Sequence, residues 1–162
     1  MSLRIIATGG TFDKHYDPLT GDLVFSDSVL PEALARARLT LPVNFEALLA
    51  LDSLDMQDHH REQILAACKR CDEDNIVVVH GTDTMPETAR YLGRAKLNKI
   101  IVLTGAMVPY QITQSDAFFN LGFACAAATL ATPGVYIGMN GRLFPWDDVM
   151  KNRAAGIFQP ER

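Results

Sequence analysis

The sequence predicts a doubly wound α/β domain, in which helices cover both faces of a mostly parallel sheet. Four apolar runs, at residues 3–8, 75–80, 99–104 and 134–139, are rich in β-branched residues and do not alternate with polar ones. Such runs are typical of strands that are buried on both faces. Segments of helical periodicity separate the runs, which indicates parallel strands joined by helices. The chain of 162 residues is expected to form one domain, residues 1–162.

The first run, LRIIAT, is followed by two glycines and then by a segment of different composition. Residues 12–27 mix short polar and aromatic stretches around the turn sequence Asp17-Pro18-Leu19-Thr20-Gly21. We expect a β-hairpin there, outside the core, and a short helix after Ser28. The next apolar segment, FEALLALDSLDM at 45–56, fits a strand or a helix equally well.

A second helix is predicted after QDHHRE, where one apolar stripe repeats at helical spacing through Ile64, Ala67, Cys68 and Cys71. The two cysteines form a C-x-x-C pair, but three-residue spacing on a helix simply places both thiols on one face. A single pair without further ligands is a poor metal signal. We therefore expect both thiols in the core, no metal site and no cofactor.

Two further helices follow the second and third runs. Thr84 and Glu87 have the spacing of a capping box with Pro86 in the first turn, so a helix is predicted to begin at TDT. Ser115 or Asp116 is expected to cap the last helix, which continues into an Ala-rich tail.

The composition excludes several classes of partner. The net charge is −4 and the Lys and Arg residues are scattered, so neither nucleic acid nor an anionic membrane is expected as a partner. Two glycines interrupt the apolar start MSLRIIATGG, so no signal peptide is predicted, and no segment reaches transmembrane length. Three cysteines favour a reducing compartment, and we expect a cytoplasmic location.

Three turns at the ends of predicted strands carry the candidate chemistry: ATGGT (7–11), HGTDT (80–84) and TGA (104–106). In doubly wound folds, ligands bind at the carboxyl ends of the strands beside a topological switch point, so these turns are expected on one rim. Taken alone, each Gly-Thr turn is equally compatible with a tight turn whose threonine bonds its own backbone. Together they offer two hydroxyls, a carboxylate and free amides, which suits acyl transfer.

Six segments resemble, in order, the bacterial-type asparaginase/glutaminase family. They are ATGGT, LDSLDM, HGTDTMPETA, LTGAMVP, SDAFFNL and RLFPWDDVMKN, which span essentially the whole chain. The chain resembles the amino-terminal, catalytic domain of that family on its own. The resemblance implies hydrolysis of the side-chain amide of L-asparagine, L-glutamine or a related small amide to the acid and ammonia, and assembly into a homodimer or a larger homo-oligomer.

The resemblance also implies catalytic roles for particular residues. Thr11 matches the nucleophilic threonine at the hinge of the lid, residues 12–27. Thr82, Asp83 and Lys151 match a second triad, in which the lysine assists deprotonation of the hydroxyl and the aspartate also holds the substrate's α-amino group. Tyr16 matches the lid tyrosine by its position alone.

Four more positions are expected to bind the substrate. Ser53 resembles the residue that holds the α-carboxylate, and Gly10, Gly81 and Ala106 belong to the three turns around it. The chain departs from the family at Leu54, where the family usually has a glutamine that contacts the amino group, and it is expected to lack the family's carboxyl-terminal domain. Fewer polar contacts should broaden specificity.

The resemblance leaves the attacking group open between Thr11 and a water molecule poised by Thr82 and Lys151. Two other functions also stay open. One is a binding or sensing module for small amides or amino acids with little turnover. The other is a nucleotide-binding protein, which is disfavoured because neither G-x-G-x-x-G nor a Walker lysine is present.

Overall fold

The chain forms ten strands and four helices in the computed structural model, which describes all 162 residues. The strands are β1 (Leu3–Gly9), β2 (Lys14–Tyr16), β3 (Leu23–Phe25), β4 (Val43–Leu51), β5 (Asn75–Val79), β6 (Ile100–Thr104), β7 (Gly134–Met139), β8 (Arg142–Pro145), β9 (Met150–Asn152) and β10 (Ile157–Gln159). The helices are α1 (Leu30–Ala37), α2 (Asp58–Arg70), α3 (Met85–Arg94) and α4 (Ala117–Leu130).

Six strands form the central sheet in the order β4-β1-β5-β6-β7-β8. All neighbouring pairs are parallel except β7 and β8. The predicted doubly wound, mostly parallel architecture is therefore confirmed. The ambiguous segment at 45–56 is mainly strand, since β4 pairs with β1, and only its end turns into a short 3₁₀ helix at Ser53–Asp55.

Helices cover both faces of this sheet, as the unalternating apolar runs predicted. On β5, Ile76 and Val78 join the core under α2 and α3, whereas Val77 and Val79 join the core under α1 and α4. Successive side chains of a strand point to opposite faces, so a strand buried on both faces needs apolar residues at every position.

The strand order places a topological switch point between β1 and β5. The chain leaves β1 for its outer neighbour β4 and then crosses to β5 on the other side of β1. The connections after β1 and β5 therefore diverge at the carboxyl edge of the sheet and open the crevice in which such folds bind ligands.

The hairpin predicted at 12–27 is present as β2 and β3, an antiparallel pair separate from the central sheet. Its turn is closed by hydrogen bonds from Gly21 N to Asp17 O and from Leu19 N to Asp17 Oδ1. Lys14 Nζ lies 2.8 Å from Asp52 Oδ1, so the hairpin is tied to the loop that follows β4.

The last part of the chain adds a second hairpin that the sequence did not predict. β9 and β10 pair antiparallel, with Phe158 opposite Lys151. Phe158 and Phe144 are buried. The Trp146 ring packs so closely on Gly93 that a Cβ at that glycine would clash with the ring. Three-residue strands are too short to show a periodicity, which is why the pattern did not reveal them.

The two predicted helix caps have different outcomes. Thr84 precedes α3 but forms no side-chain cap, because its Oγ1 donates instead to Ser53 O at 2.7 Å. Asp116 precedes α4, and its carboxylate accepts the backbone amides of Met107 and Val108 and, within its own helix, the side-chain amide of Asn120. Of the two residues predicted to cap α4, Ser115 is the one whose side chain accepts a backbone amide of the helix, that of Ala117.

The cysteines of the C-x-x-C pair lie in the core, as expected. Cys68 is fully buried within α2, and Cys71 follows the last residue of that helix with its Sγ near Cys68 O. Burial raises the pKa of the Cys68 thiol to about 12, so it stays protonated at neutral pH. No helix in the chain combines the length and apolar character needed to cross a membrane.

Candidate active site

The turns after β1 and β5 are in direct contact. Gly10 has φ +76°, and a Cβ there would clash with the backbone nitrogen of Gly81. Only glycine combines this backbone conformation with such a close approach. Thr11 and Thr82 each follow one of these touching glycines, which places both at the switch point of the sheet.

Thr82, Asp83 and Lys151 form a hydrogen-bonded cluster. Lys151 Nζ donates to Thr82 Oγ1 at 2.7 Å and to Asp83 Oδ1 at 2.8 Å. The Lys151 side chain is 8% exposed, so its amine is held largely away from water. The lysine therefore turns inward, although 69 positions separate it from Thr82.

The β9–β10 hairpin positions this lysine. Phe158 lies opposite Lys151 in the hairpin and is 2% exposed, so the apolar core anchors the strand that carries the amine. Phe158 N also donates to Asn140 Oδ1 at 2.9 Å, which ties the hairpin to the turn between β7 and β8.

Asp83 meets a second cation that the sequence did not predict. Arg153 Nε lies 3.6 Å from the same Oδ1 atom that accepts Lys151. The Arg153 side chain is 62% exposed and the Asp83 side chain is 34% exposed, so this second pair is partly screened by water. Arg153 lies in the turn that follows β9, so local spacing does not show that it reaches Asp83.

Ser53 lies beneath the Gly81 turn. It is 4% exposed, and a Cβ at Gly81 would approach the Ser53 Cβ to 2.6 Å. Ser53 Oγ accepts Thr84 N at 3.2 Å, while Ser53 O accepts Thr84 Oγ1. The predicted substrate-binding serine thus braces the turn that carries Thr82 and Asp83.

His80 supports the same turn from inside the protein. Its Nδ1 lies 2.7 Å from Gly81 O, and its Nε2 lies 2.8 Å from Thr88 Oγ1, which accepts Arg61 Nε. These contacts assign the proton to Nδ1, which donates to Gly81 O while Nε2 accepts the Thr88 hydroxyl. Complete burial lowers the pKa of His80 to about 4, so the ring is neutral at physiological pH.

The loop after β6 closes the third side of the cluster. Met107 Sδ lies 3.7 Å from Thr82 Oγ1, and Ala106 beside it is buried. A Cβ at Gly105 would clash with His80 O, so this turn also packs directly on the turn after β5. Asp116 fixes the loop by accepting the Met107 amide at 2.9 Å.

Thr11 and Tyr16 are not hydrogen-bonded into the cluster. Thr11 is half-buried, and the hydrogen bonds of the cluster do not involve its hydroxyl. Tyr16 is 60% exposed on β2. Among the five cavities of the chain, none is lined by both threonines. The contact between the two turns is therefore made by their glycines, and the hydroxyls do not share an enclosed space.

The geometry of the cluster suits proton transfer at a hydroxyl. An amine 2.7 Å from an alcohol oxygen can accept its proton when the amine is neutral, and can return that proton when it is charged. Asp83 fixes the position of the lysine by accepting the same amine at 2.8 Å. The backbone amides of Thr11 and Thr82 follow Gly10 and Gly81, in the two turns that touch. Backbone donors beside glycines can approach an oxyanion closely.

Comparisons with known proteins agree on one family. The family model described as the asparaginase amino-terminal domain matches residues 2–158 of this chain. L-asparaginase 2 of Escherichia coli K12 is 33% identical over 169 residues. A glutamyl-tRNA(Gln) amidotransferase subunit from Methanococcus vannielii is 31% identical over 162 residues. The structure of the thermostable L-asparaginase from Thermococcus kodakarensis superposes with a TM-score of 0.89 at 28% identity.

These matches cover nearly all of this chain but only part of each relative. The coverage is 96% of this chain for both curated proteins, against 48% of the asparaginase and 37% of the amidotransferase chain. For the solved structure it is 99% of this chain and 51% of the other. The chain thus spans about half the length of the asparaginases it matches, and the same module also occurs in a protein named for a different reaction.

Proposed function

The chain belongs to the asparaginase family, and from this premise we propose that it is an amidohydrolase that converts a small carboxamide to the acid and ammonia. The proposed substrate is L-asparagine, whose side-chain amide is hydrolysed. L-glutamine and related small amides are the alternative substrates. No cofactor is needed for this reaction, because a hydroxyl, a base and backbone donors suffice.

The observation that carries the proposal is the hydrogen bond of 2.7 Å between Lys151 Nζ and Thr82 Oγ1, with Asp83 on the same amine. The Lys151 side chain is 8% exposed, and its two hydrogen bonds are partly buried. Because replacing a buried ion pair by apolar residues is often neutral or stabilising, a lysine bonded to a threonine hydroxyl at the switch point favours a chemical role over a stabilising one.

In the proposed mechanism, the carbonyl oxygen of the amide is held by the amides of Thr11 and Thr82. Thr11 Oγ1 attacks the carbonyl carbon, its proton passes to the leaving nitrogen, and the C–N bond breaks with loss of ammonia. Water then hydrolyses the ester, giving the carboxylic acid and restoring the Thr11 hydroxyl. In the second scheme, water held by Thr82 and Lys151 attacks directly and Thr11 only positions the amide.

Recognition of the amino-acid end is proposed to rest on Ser53, on Asp83 and on the amides of the Gly10, Gly81 and Ala106 turns. Asp83 Oδ1 is already engaged by Lys151 and lies near Arg153, so its remaining oxygen would meet an α-ammonium group. Leu54 is 64% exposed and brings no polar group to this end. We expect broader specificity than a site with a full set of polar contacts.

Three observations favour the second candidate, a binding or sensing module with little turnover. No cavity joins the two threonines, and Arg153 competes for the carboxylate that would hold an amine. Tyr16, on the proposed lid 12–27, would have to move from its exposed position to reach Thr11. Measurable ligand binding without turnover of any amide would support this candidate.

The chain is further proposed to act as one catalytic unit, residues 1–162, that assembles as a homodimer or a larger homo-oligomer in the cytoplasm. Phe119 and Leu130 on α4 are 63% and 83% exposed, which is consistent with a face covered in an assembly. The three cysteines are free and buried, as suits a reducing compartment. Light scattering on the purified chain measures the oligomeric state.

The test of the proposed function is ammonia release from a panel of amides. The panel contains L-asparagine, D-asparagine, L-glutamine, succinamate and acetamide, each at several concentrations. Hydrolysis of L-asparagine above the other members supports an asparaginase, whereas preference for another member redefines the substrate within the same chemistry. No release from any of them, with the chain folded, contradicts the proposal.

A further inference from the structure

The direction of the Thr82 amide is fixed by the peptide unit that it shares with Gly81. A trans peptide unit is planar, so its C=O and N–H groups point in opposite directions, and no peptide bond of the chain is cis. Gly81 O lies 2.7 Å from Nδ1 of His80, which is fully buried. The Thr82 N–H, on the other side of the same unit, therefore points away from the His80 ring.

The Thr82 amide has no hydrogen-bond partner within the chain. Thr82 lies outside the helices and strands, and its N–H donates to no backbone acceptor. The hydrogen bonds of this residue are those of its Oγ1, with Lys151 Nζ and Met107 Sδ. Thr82 is only 7% exposed, and buried backbone N–H groups without a partner are rare in proteins. A free donor beside the Thr82 hydroxyl is what the proposed mechanism needs for the carbonyl oxygen of the amide.

Two buried side chains hold the His80 ring in the tautomer that makes this contact. Arg61 Nε can only donate, and it donates to Thr88 Oγ1 at 3.1 Å. The hydroxyl proton of Thr88 then goes to His80 Nε2 at 2.8 Å, because the other acceptor, Met56 Sδ, is weaker and lies 3.6 Å away. With Nε2 accepting, the neutral ring carries its proton on Nδ1 and donates it to Gly81 O.

The network is closed to bulk water except at its outer end. Thr88 is fully buried and Arg61 is 8% exposed. Arg61 Nη1 donates to Asp58 Oδ1 at 3.1 Å, and the Asp58 side chain is 82% exposed, so this outer pair adds little to stability. Burial and, to a smaller extent, the nearby Arg61 charge lower the pKa of His80, which keeps the ring neutral. The contacts thus run without a break from α2 to the Gly81 turn.

We propose that Arg61 and Thr88 are positioning residues for the amide hydrolysis. Through His80 they hold the Gly81–Thr82 peptide unit with its carbonyl toward the core and its N–H toward the carbonyl oxygen of the substrate. Neither residue touches the substrate. The inference rests on the proposed function, in which the Thr82 amide stabilises the oxyanion.

Thr88→Val tests the proposal by removing the hydroxyl with little change of shape. A misdirected oxyanion donor weakens binding of the transition state rather than of the substrate, so kcat for L-asparagine should fall at least about tenfold while KM changes less than about twofold. Rates are measured well below the unfolding midpoint of each variant, so that loss of folded protein does not lower kcat. Parental kcat in Thr88→Val overturns the proposal.

Two further variants separate positioning from a general loss of packing. Thr88→Ser keeps the hydroxyl and should recover most of kcat, although it removes a buried methyl group. Thr129→Val on α4 is the control, because the Thr129 hydroxyl bonds the carbonyl of Ala126 in its own helix. A kcat in Thr88→Ser as low as that of Thr88→Val overturns the proposal, since packing would then explain the loss.

The tautomer of His80 can be measured without turnover, and in the unmodified protein. Two-bond ¹H–¹⁵N NMR spectra of the ring show which nitrogen carries the proton. We expect the Nδ1–H form in the unmodified protein and loss of this single form in Thr88→Val. A ring protonated at Nε2 in the unmodified protein overturns the proposal, because Nδ1 could not then donate to Gly81 O. The same single form in both proteins also overturns it, because the Thr88 hydroxyl would not be what holds the ring.

Binding of L-aspartate distinguishes failure of this proposal from failure of the proposed function. Its side-chain carboxylate stands in for the carbonyl oxygen of the amide. Binding should shift the NMR resonance of the Thr82 amide in the unmodified protein and shift it much less in Thr88→Val. If this difference is seen but no amide is hydrolysed, the proposed function fails and the orientation of the Thr82 amide stands. Equal shifts in both proteins, including none in either, overturn the proposal.

Discussion

Lys151 Nζ donates to Thr82 Oγ1 at 2.7 Å across 69 positions of sequence. Two different parts of the fold make this contact. The turn after β5 presents the hydroxyl at the switch point, and the β9–β10 hairpin brings the amine to it with Phe158 as its anchor. Asp83 joins them by accepting the same amine at 2.8 Å.

Thr11→Ala should reduce ammonia release by at least about 100-fold if Thr11 is the nucleophile, because no other hydroxyl at this turn can form the ester. Hydroxylamine added to the unmodified protein should then yield a hydroxamate by trapping the acyl group. Thr20→Ala at the tip of the hairpin is the control and should retain parental activity. Substantial activity in Thr11→Ala without hydroxamate formation would support direct attack by water.

Arg153→Gln should lower KM for L-asparagine by up to about fivefold. Removing the competing cation frees Asp83 for the substrate's α-ammonium group, and exposed ion pairs are worth roughly 0.2 to 1 kcal/mol. KM for succinamate, which has no amine, should stay unchanged or rise. A parallel change for both substrates would mean that Arg153 does not act through the amino group. Arg94→Gln is the matched control.

Gly10→Ala and Gly21→Ala separate backbone strain from the contact between the turns. Both glycines have φ near +75°, but a Cβ at Gly10 would clash with Gly81, whereas one at Gly21 would meet nothing within 4 Å. Gly21→Ala should cost about 1 kcal/mol of unfolding free energy from strain alone. Gly10→Ala should cost clearly more and abolish activity, as measured by urea unfolding and ammonia release. Equal effects of the two substitutions would contradict the close approach.

His80 should make the protein less stable as the solution is acidified. Its pKa is about 4 in the folded chain, below the usual 6.5, so the unfolded chain binds the extra proton between these values. The unfolding free energy should therefore fall by about 2 kcal/mol between about pH 7.5 and about pH 5. His80→Gln should be less stable at neutral pH because it loses the Gly81 and Thr88 contacts, but its stability should change less over this range. An unchanged slope would show that another group is responsible.

The sheet and its two cores were predictable from the sequence because burial on both faces leaves a local signature. Runs such as NIVVVH need no knowledge of distant contacts to be interpreted as strands. The same holds for the glycine turns, whose position after a strand already implies the carboxyl edge of the sheet. The segment FEALLAL alternates too little to exclude a helix, so the sequence alone does not identify β4 as a strand.

The features that were missed depend on contacts between distant parts of the chain. Thr84 and Asp116 stand at cap positions, yet Thr84 bonds Ser53 O and Asp116 bonds the loop after β6. Local spacing cannot show which of two available partners a side chain takes. The position of Arg153 near Asp83 likewise requires the β9–β10 hairpin, whose strands are too short to leave a periodic pattern.

The most direct test of the account is the rate of ammonia release from L-asparagine by Lys151→Met, measured beside Lys69→Met, which removes an exposed lysine from α2. The unfolding midpoints of both variants show whether they are folded. We predict a loss of at least about 100-fold in kcat for Lys151→Met, the range expected for removing a general base, and no change for Lys69→Met. A folded Lys151→Met protein that hydrolyses L-asparagine at the parental rate would contradict the proposed role of the Thr82, Asp83 and Lys151 cluster.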